Sequence, residues 1–372
     1  MSHDKHRIRI DLASKMSLAG DRSRITRQVF ARWAILAATA AAILLSADHR
    51  AQAVDKKDVN RCIRGGLDWL ANTQSRLGSW AAKDGMYPTA MTALAGVALL
   101  QEGSTTTQGK YAPNIRRAVD YICNHSRSNG LIGDPTRDDR YTYGHGYSML
   151  FLSQVLGEEE DEARRKELIQ VLTKAVEFCG RAQTDEGGWG YVSAKDGGGY
   201  DEGSTTITQV QGLRGCRNAG ITVPKEIIDK AIKYIQKCTM EDGAVQYSLK
   251  GGGPRPAITA AAVACLFNAG DYDDKSVPRM MSFADRNLRN IAQQDFGHWH
   301  YAHYYYAQVL YREGGEKWEK YRDQIYARLV SEATEDRNGT CWKQGYVGDI
   351  YTTAVNLTIL QLDTNILPIY QR

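Results

Sequence analysis

Histidine and tyrosine side chains concentrate in one short stretch near the C-terminal end of the chain. The twelve residues from Gly297 to Gln308, GHWHYAHYYYAQ, hold three of the eight histidines and four of the 21 tyrosines. Histidine can ligate a metal or transfer a proton, and tyrosine can hydrogen-bond or stack on a ligand. The stretch therefore predicts a metal site, an acid/base centre or an aromatic wall.

Helical spacing divides this stretch into two neighbouring faces. One face carries His300, His303, Tyr304 and Ala307, and the other carries Tyr301, Tyr305 and Gln308. If the stretch forms a helix, one face must look inward and the other must pack on neighbouring elements. We expect His300 and Tyr304 to line a central cavity, with His298 at its rim.

The first 53 residues have the pattern of an export signal. A basic stretch, RSRITRQVFAR, precedes an apolar run from Trp33 to Ala47, and the small residues of AQA follow at Ala51–Ala53. This is the order of regions in a secretory signal. The apolar run has about fifteen residues, fewer than the roughly twenty that span a bilayer. We expect an exported, periplasmic or extracellular protein with its domain at 54–372; an N-terminal membrane anchor at 33–47 is the alternative.

The charge distribution argues against one class of function. Of the 47 Lys and Arg and the 43 Asp and Glu, residues 1–53 hold nine and four, respectively. Without that segment the formal net charge changes from +4 to −1. The basic excess therefore belongs to the export signal, and we expect no nucleic-acid partner.

The seven cysteines contain no C-x-x-C pair. Cys123, Cys179 and Cys238 come near the ends of amphipathic segments, where a small apolar residue would pack. We expect buried free thiols, with one or two disulfides as the alternative.

A repeat runs through residues 54–372. QSRLGSW at Gln74–Trp80 and QTDEGGW at Gln183–Trp189 share the spacing of Gln, Gly and Trp. Weaker copies lie at Asn129–Gly133, Asp242–Tyr247, Gln293–Trp299 and Arg337–Trp342. Six copies about 45 to 60 residues apart indicate a repeat architecture.

Two kinds of segment alternate around these copies. Segments such as NIRRAVDYIC carry one apolar stripe, which predicts outer helices. The charge-poor segments predict buried inner helices, at 89–100, 143–157, 204–220, 257–270, 300–311 and 351–362. Six alternating pairs predict an all-α fold, a closed (α/α)6 ring of helical hairpins; an open solenoid of the same units is the alternative.

The repeated Gln, Gly and Trp on these alternating helices resemble the α/α-toroid superfamily with prenyltransferase and squalene oxidase repeats. This superfamily includes squalene cyclases and the β subunits of protein prenyltransferases. The similarity covers residues 54–372, and its C-terminal part looks like exported bacterial repeat proteins of this type. The motif residues have a structural role, since glycine permits a tight turn, tryptophan stacks over it and glutamine caps backbone groups. They are Gln74, Gly78, Trp80, Gln183, Gly187 and Trp189.

The resemblance to squalene cyclases suggests candidate acids. Those enzymes protonate an alkene with an aspartate of a D-x-D-D motif that opens an inner helix. The same letters here, Asp271–Asp274, follow the end of an inner helix, so we expect a solvated loop. At the cyclase position, the start of the third inner helix, this chain has Asp201 and Glu202. If the protein is an enzyme, a cyclase-like or prenyltransferase-like one, the further catalytic candidates are His145, His300 and Tyr304.

The resemblance to protein prenyltransferases raises the question of zinc. Their zinc is held by Asp-x-Cys at the start of one inner helix and by a later histidine. His298 and His300 align with Asp-x-Cys, and with Asp349 they form a weak candidate site of two histidines and one carboxylate. The thiolate is missing and no partner subunit is evident. We expect no cofactor, with zinc as the alternative.

The loops that lead into the inner helices are rich in Gly, Tyr, His and charge, and all lie at one end of the predicted ring. Six helix N-termini give this mouth a mildly positive rim that suits an anionic group. We expect ligand-binding side chains there and in the central cavity: Tyr141, Tyr143, Tyr147, Arg255, His298, Tyr301, Asp349 and Tyr351.

These residues predict a protein that binds or transforms an elongated, largely apolar small molecule, and the resemblance implies an isoprenoid-like one. Peripheral membrane contact would accompany such a ligand, and the sequence leaves the oligomeric state open. A glycan-active enzyme of the helical-toroid polysaccharide lyase type is one alternative, in which paired carboxylates such as Asp138 and Asp139 would indicate hydrolysis. A non-catalytic protein-interaction toroid is the other.

The shape of the cavity separates these three functions. A deep, dry, aromatic tunnel favours a lipid, whereas a shallow groove with exposed aromatic side chains and a basic rim favours a glycan. A cavity filled by the protein's own side chains favours a scaffold.

Overall fold

The computed structural model describes residues 54–292 and 298–371. The export signal predicted at 1–53, its alternative anchor and the repeat letters at 293–297 lie outside the described residues. Within the described part no helix is both long and apolar enough to cross a membrane.

Outer and inner helices alternate along the described residues. The outer helices are α1 (Lys56–Thr73), α3 (Ala112–Asn124), α5 (Glu162–Ala182), α7 (Lys225–Cys238), α9 (Val277–Leu288) and α11 (Gly315–Glu332). The inner helices are α2 (Pro88–Leu100), α4 (Tyr141–Glu158), α6 (Gly203–Asn218), α8 (Pro256–Ala269), α10 (Trp299–Glu313) and α12 (Asp349–Leu360). Each predicted inner segment matches one inner helix to within two residues at each end.

Short elements complete the described chain. Two antiparallel hairpins pair β1 (Gln246–Ser248) with β2 (Gly251–Pro254), and β3 (Thr334–Asp336) with β4 (Gly339–Cys341). Single 3-10 turns lie at Lys83–Gly85, Leu362–Thr364 and Pro368–Tyr370. The last two belong to a C-terminal tail, residues 361–371.

The inner helices form a closed ring. Each packs on the next along the chain, and α12 packs back on α2. The closure is marked by two reciprocal amide bonds: Gln361 Nε2 donates to the carbonyl of Ala98 over 3.1 Å, and Gln101 Nε2 donates to the carbonyl of Thr358 over 3.2 Å. The predicted α/α toroid is therefore confirmed, and the open solenoid is excluded.

Burial separates the two sets of helices. All thirteen residues of α2 are buried, because it lies between neighbouring inner helices, the axis and the outer layer. The outer helix α7 buries one stripe, which includes Ile228, Ala231 and Ile235, and exposes lysines on its other side. Each fully buried isoleucine contributes roughly 1.5–3 kcal/mol, so these stripes attach the outer layer to the ring.

The repeat glycines allow each turn to rest on the backbone of the next outer helix. Gly187 has φ +102°, and a Cβ there would collide with the carbonyl oxygen of Lys230 in α7. The same close approach with positive φ recurs at Gly78, Gly130, Gly243 and Gly339. Only glycine fits both the backbone angle and the space.

The glutamine and tryptophan of the repeat bind backbone groups. Gln183 Nε2 donates to the carbonyls of Gly187 and Ile227, both over 2.9 Å, which joins the turn to α7. Trp189 Nε1 donates to the carbonyl of Cys179 at the end of α5 over 2.8 Å. Gln74 and Trp80 make the equivalent bonds in the first repeat. These contacts hold each turn between two successive outer helices.

All seven cysteines lie in the described part of the chain and are free. Six are buried and Cys123 is half-buried. Burial raises the pKa of most of these thiols; that of Cys62 rises to about 11. The expected buried free thiols are confirmed.

Candidate ligand-binding mouth

Tyrosine side chains of the inner helices fill the axis of the ring. The hydroxyl of Tyr147 on α4 lies 3.4 Å from that of Tyr305 on α10, across the ring. The hydroxyl of Tyr304 lies 2.9 Å from that of Tyr370 in the C-terminal tail. All four side chains are buried. Burial raises the pKa of each, so they remain neutral hydrogen-bonding groups.

Glutamine side chains and the C-terminal tail close the far end of the axis. Gln211 Nε2 on α6 donates to Gln308 Oε1 on α10 over 2.8 Å. The backbone N–H of Ile369 in the tail donates to Gln154 Oε1 on α4 over 3.4 Å. These contacts close the far end of the ring axis.

The opposite end, where the inner helices begin, is a mouth lined by aromatic rings and arginines. The hydroxyls of Tyr191 and Tyr247 are hydrogen-bonded to each other, and Tyr200 packs 6.2 Å from the ring of Tyr191. The guanidinium of Arg140 lies 4.3 Å over the ring of Tyr191, and that of Arg255 lies 4.2 Å over the ring of Tyr247. Cation–π contacts of this kind hold both arginines in place while they remain partly or fully open to solvent.

Two further side chains continue the rim. Tyr346 is 69% exposed, and its hydroxyl lies 3.2 Å from Nδ1 of His298. Burial lowers the pKa of His298, and the charge of Arg255 lowers it further, so this imidazole is neutral at pH 7. Burial raises the pKa of Tyr346 and the charge of Arg140 opposes that rise. The rim thus carries two guanidinium groups, and Asp139 beside Arg140 places a carboxylate there as well.

The floor of the mouth is polar. The hydroxyl of Tyr143 is hydrogen-bonded to Ser204 Oγ and lies 3.5 Å from Glu202 Oε1. Tyr301 donates from its hydroxyl to the carbonyl of Ser204 over 3.5 Å. Tyr143 and Tyr301 are half-buried, and Tyr351 beside them is half-buried as well.

Glu202 caps the N-terminus of α6. Its carboxylate accepts from the backbone N–H groups of Ser204 and Thr205, over 2.8 and 2.6 Å, and from Ser204 Oγ over 2.6 Å. Burial raises the pKa of Glu202, while these donors oppose the rise. The side chain is fully buried. On the side of the mouth it contacts Tyr143 and Ser204.

The structure corrects the assignment of Asp201 as a catalytic acid. Its side chain is fully buried, and Oδ1 accepts from the hydroxyls of Tyr234 over 2.8 Å and Ser248 over 3.1 Å. Oδ2 accepts from Thr184 over 3.3 Å. Because both oxygens are bonded behind the mouth, Asp201 joins α7 to the loops around it.

The structure also corrects the assignment of His145. It is fully buried, and Nδ1 accepts from the backbone N–H of Ile132 over 3.1 Å while Nε2 donates to the carbonyl of Ala175 over 3.1 Å. Burial lowers the pKa of His145 to about 4. Both ring nitrogens are occupied, so His145 is a structural residue between α4 and α5.

The three candidate metal ligands do not converge. Nδ1 of His300 lies 3.2 Å from Asn356 Oδ1 on α12, and His298 contacts Tyr346, while Asp349 begins α12. Among the described residues no group of three or more His, Cys, Asp and Glu side chains could hold a metal ion. The alignment that joined the three residues is therefore not matched by a common site, since His300 and His298 contact different neighbours.

The α10 helix presents its tyrosines, rather than its histidines, to the axis. Tyr301, Tyr304 and Tyr305 face inward, as their bonds to Ser204, Tyr370 and Tyr147 show. Nδ1 of His303 lies 2.8 Å from the hydroxyl of Tyr321 on the outer helix α11. His300 is 9% exposed and packs beside α12. Helical spacing alone left this choice of face open.

Tyr141 and the aspartate pair also differ from their expected places. The hydroxyl of Tyr141 donates to Asp196 Oδ2 over 2.5 Å, and its ring is buried against Phe178, so it supports a loop instead of lining the mouth. Asp138 is 1% exposed, and burial raises its pKa, whereas Asp139 is exposed. The two carboxyl groups do not share one solvent-facing site.

Several mouth residues are absent from the predicted site: Tyr87, Arg140, Tyr191, Tyr200, Tyr247 and Tyr346. Most lie in irregular loops, where no periodicity indicates a direction. Tyr87 lies directly before α2 and has φ +52°, an uncommon backbone angle for a tyrosine that only the structure reveals. Burial and a hydrogen bond to Asp139 raise the pKa of Tyr87 to about 12.

Comparisons with known proteins add the fold class. No protein-family model matches the chain, and no curated protein matches it. Solved structures do. Type II terpene cyclase MstE from Scytonema, in complex with geranylgeranyl dihydroxybenzoate, is 12% identical over 84% of this chain and 98% of its own, with a TM-score of 0.57.

Two glycan-active enzymes are similar to the same extent. Unsaturated glucuronyl hydrolase from Bacillus sp. GL1 is 13% identical over 84% of this chain and 99% of its own, with a TM-score of 0.58. The GH76A α-1,6-mannanase from Salegentibacter sp. HEL1_6 is 10% identical over 82% and 98%, with a TM-score of 0.56. The chain is thus an α/α-toroid protein, with a fold that a terpene cyclase and glycan-active enzymes share.

Proposed function

We propose that the mouth binds an acidic glycan. The observation that carries this proposal is the pair of arginines, Arg140 and Arg255, each stacked on the ring of a hydrogen-bonded tyrosine pair. Tyrosine rings stack on the apolar faces of sugars, and arginine pairs with carboxylate or sulfate groups in two-point contacts. The two arginine–tyrosine pairs are joined by the hydrogen bond between their tyrosines, so one extended sugar chain would contact both.

The filled axis supports a glycan over a long apolar ligand. An isoprenoid needs a deep, dry channel, but Tyr147, Tyr305, Tyr304 and Tyr370 occupy the described axis with hydrogen-bonded hydroxyls. The proposed ligand would lie in the mouth, above Tyr143 and Tyr301. Its hydroxyls and guanidinium groups match the hydroxyl-rich surface of a carbohydrate.

The charge of the mouth supports an anionic ligand. Tyr143 and Tyr247 have pKa values raised by burial and stay neutral, and His298 is neutral because burial lowers its pKa. Guanidinium groups remain protonated at any physiological pH. Arg140 and Arg255 therefore provide the positive field that a uronic acid or a sulfated sugar would complement, aided by the N-termini of the inner helices.

A second candidate is the apolar ligand that the sequence predicts. The observation in its favour is the half-buried aromatic floor of Tyr143, Tyr301 and Tyr351 above the buried Glu202. Burial raises the pKa of Glu202, and the hydroxyl of Tyr143 lies between this carboxyl group and the mouth. A prenyl chain lying on the floor would be separated from the carboxyl group of Glu202, a proton donor, by the single hydroxyl of Tyr143.

Isothermal titration calorimetry with three probes separates these ligands. The probes are an oligogalacturonate, a neutral gluco-oligosaccharide of the same length, and geranylgeraniol in a matched detergent. We expect saturable binding of the oligogalacturonate that weakens as salt is raised, because salt screens charge pairs. The neutral sugar should bind at least tenfold more weakly.

Two outcomes would overturn the proposal. If the acidic and neutral sugars bind equally, the arginines do not select the ligand. If geranylgeraniol binds and neither sugar does, the mouth belongs to the apolar-ligand class.

A further inference from the structure

A separate cavity of about 210 Å³ lies at the far end of the ring, opposite the mouth. The C-terminal ends of three inner helices line it, through Leu100 of α2, Glu158 of α4 and Asn218 of α6. The C-terminal tail covers it with residues 366–368. At about 30 Å³ for each water, the cavity has room for roughly seven waters or a small organic molecule.

The electrostatics of this cavity favour a cation. The C-terminal end of a helix carries a partial negative charge, and three such ends meet here; the carbonyls of Leu100 and Leu156 already accept from Gly103 and Arg165. Glu158, an exposed residue like Glu160, adds a carboxylate to the lining, and Glu102 accepts from the lining hydroxyl of Ser104 over 2.7 Å. No Lys, Arg or His belongs to the described lining. The nearby Arg165 is engaged with the carbonyls of Leu156 and Glu159.

Hydrogen-bond acceptors are placed in the wall. Gln154 is 6% exposed, and its Oε1 accepts one long hydrogen bond of 3.4 Å from the tail. The second lone pair of this oxygen is therefore available to accept a hydrogen bond from a ligand. Ser153 is 2% exposed, and its Oγ accepts from Gln154 Nε2 over 3.3 Å. The rest of the wall is largely apolar, with Leu100, Ile366 and Leu367 among its residues. The wall thus combines a negative, acceptor-bearing part with an apolar part.

We propose that this cavity is a binding site for a small organic cation, a primary alkylammonium of about five heavy atoms. The ammonium group would lie at the helix ends beside Glu158 and donate to Gln154 Oε1. The alkyl part would pack against Leu100 and Leu367. This site is independent of the mouth and of the ligand proposed there.

Saturation-transfer NMR and calorimetry with n-butylammonium test this site in the full-length protein. We expect saturable binding to the wild type at constant ionic strength, and none of the neutral, equally long 1-butanol at the same concentration. Glu158→Gln should weaken the affinity at least fivefold. The matched control is Glu160→Gln, an exposed carboxylate two residues away that does not line the cavity, and its affinity should equal that of the wild type.

A second variant blocks the cavity without removing charge. A Cβ added at Gly157, which lines the cavity, meets nothing within 4 Å, so Gly157→Leu should fold and fill the space. It should abolish butylammonium binding while its melting temperature stays at or above that of the wild type, since leucine favours helix over glycine. Equal binding by the wild type, Glu158→Gln and Gly157→Leu would overturn the proposal, as would the absence of saturable binding to the wild type.

Discussion

The backbone N–H of Ile132 donates to Nδ1 of His145 over 3.1 Å, whereas in another repeat the equivalent N–H donates to a threonine hydroxyl. In the third repeat the backbone N–H of Trp189 donates to Thr206 Oγ1 over 3.1 Å. His145 also donates from Nε2 to the carbonyl of Ala175, as the indole of Trp189 does to its outer helix. His145 thus takes the place of the repeat threonine and joins α4 to the outer helix that follows it, α5, whereas the indole of Trp189 bonds the outer helix that precedes it. Its burial predicts a pH-dependent contribution to stability.

Acid should destabilise the protein through His145. Burial lowers its pKa to about 4, whereas the unfolded chain takes up the proton near 6.5. Between these values the unfolded state binds more protons, so the free energy of unfolding falls by roughly 3 kcal/mol as the pH drops from 6.5 to 4. His300 and His303 act in the same direction, with pKa values lowered by burial to about 4 and about 3.

Urea unfolding at pH 7.5 and pH 4.5 measures this effect. His145→Gln keeps an acceptor and a donor but cannot be protonated, so its loss of stability between the two pH values should be smaller than that of the wild type. The difference in the free energy of unfolding between the wild type and the variant at pH 7.5 gives the cost of the substitution itself, and any further difference at pH 4.5 is due to protonation. An identical loss in both proteins would show that His145 does not couple stability to pH.

The repeat glycines should differ from other positive-φ glycines in what alanine costs. Gly187→Ala should lower the free energy of unfolding by roughly 3 kcal/mol or more, because the new methyl group meets the backbone of α7 as well as an unfavourable φ. Gly220 has φ +86° with nothing within 4 Å of its added Cβ, so Gly220→Ala should cost only about 1–2 kcal/mol. Chemical unfolding of both variants checks this, and equal costs would contradict the contact with α7.

Asp201 should prove structural. Asp201→Ala leaves the buried hydroxyls of Tyr234 and Ser248 without their acceptor, which should cost roughly 2–5 kcal/mol of stability. The affinity of folded Asp201→Ala for an oligogalacturonate should match that of the wild type. Asp273→Ala, at an exposed position, is the control for stability. Full stability combined with lost ligand binding would return Asp201 to the mouth.

The C-terminal tail should contribute to stability mainly through the ring of Tyr370. Tyr370→Phe removes the bond to the Tyr304 hydroxyl and should cost about 1 kcal/mol. Tyr370→Ala also opens a void at the far end of the axis and should cost roughly 3–5 kcal/mol. Calorimetric unfolding of the two variants distinguishes these effects. An unchanged free energy of unfolding in Tyr370→Ala would mean that the tail does not close the far end of the axis.

The architecture was predictable because it depends on periodicity. The spacing of Gln, Gly and Trp at Gln74–Trp80 and Gln183–Trp189 marks the turns, and charge-poor segments mark helices that have no solvent-facing side. Both signals come from burial, and burial leaves a regular pattern in a helix. The six inner helices and the closed ring follow from them.

The mouth was only partly predictable because it is built from irregular loops. Tyr191 lies in a loop before α6 and Tyr247 in the short strand β1 before α8, and nothing in their spacing indicates that contact. His145 was mistaken for a catalytic candidate because Ile132 stands where other repeats have tryptophan, which hid the missing partner. Helical spacing grouped Tyr304 with His300, yet packing against α11 and α12 turned the histidines away from the axis.

The affinity of arginine variants for an oligogalacturonate tests the central claim most directly. Arg140→Gln and Arg255→Gln should each raise the dissociation constant roughly tenfold or more, since each removes a charged hydrogen-bond donor from the mouth. Arg286→Gln is the matched control, because Arg286 also lies over an aromatic ring, Phe283, but on the outer helix α9. Its affinity should equal that of the wild type. An unchanged dissociation constant in both mouth variants, or an equal loss in Arg286→Gln, would contradict the account.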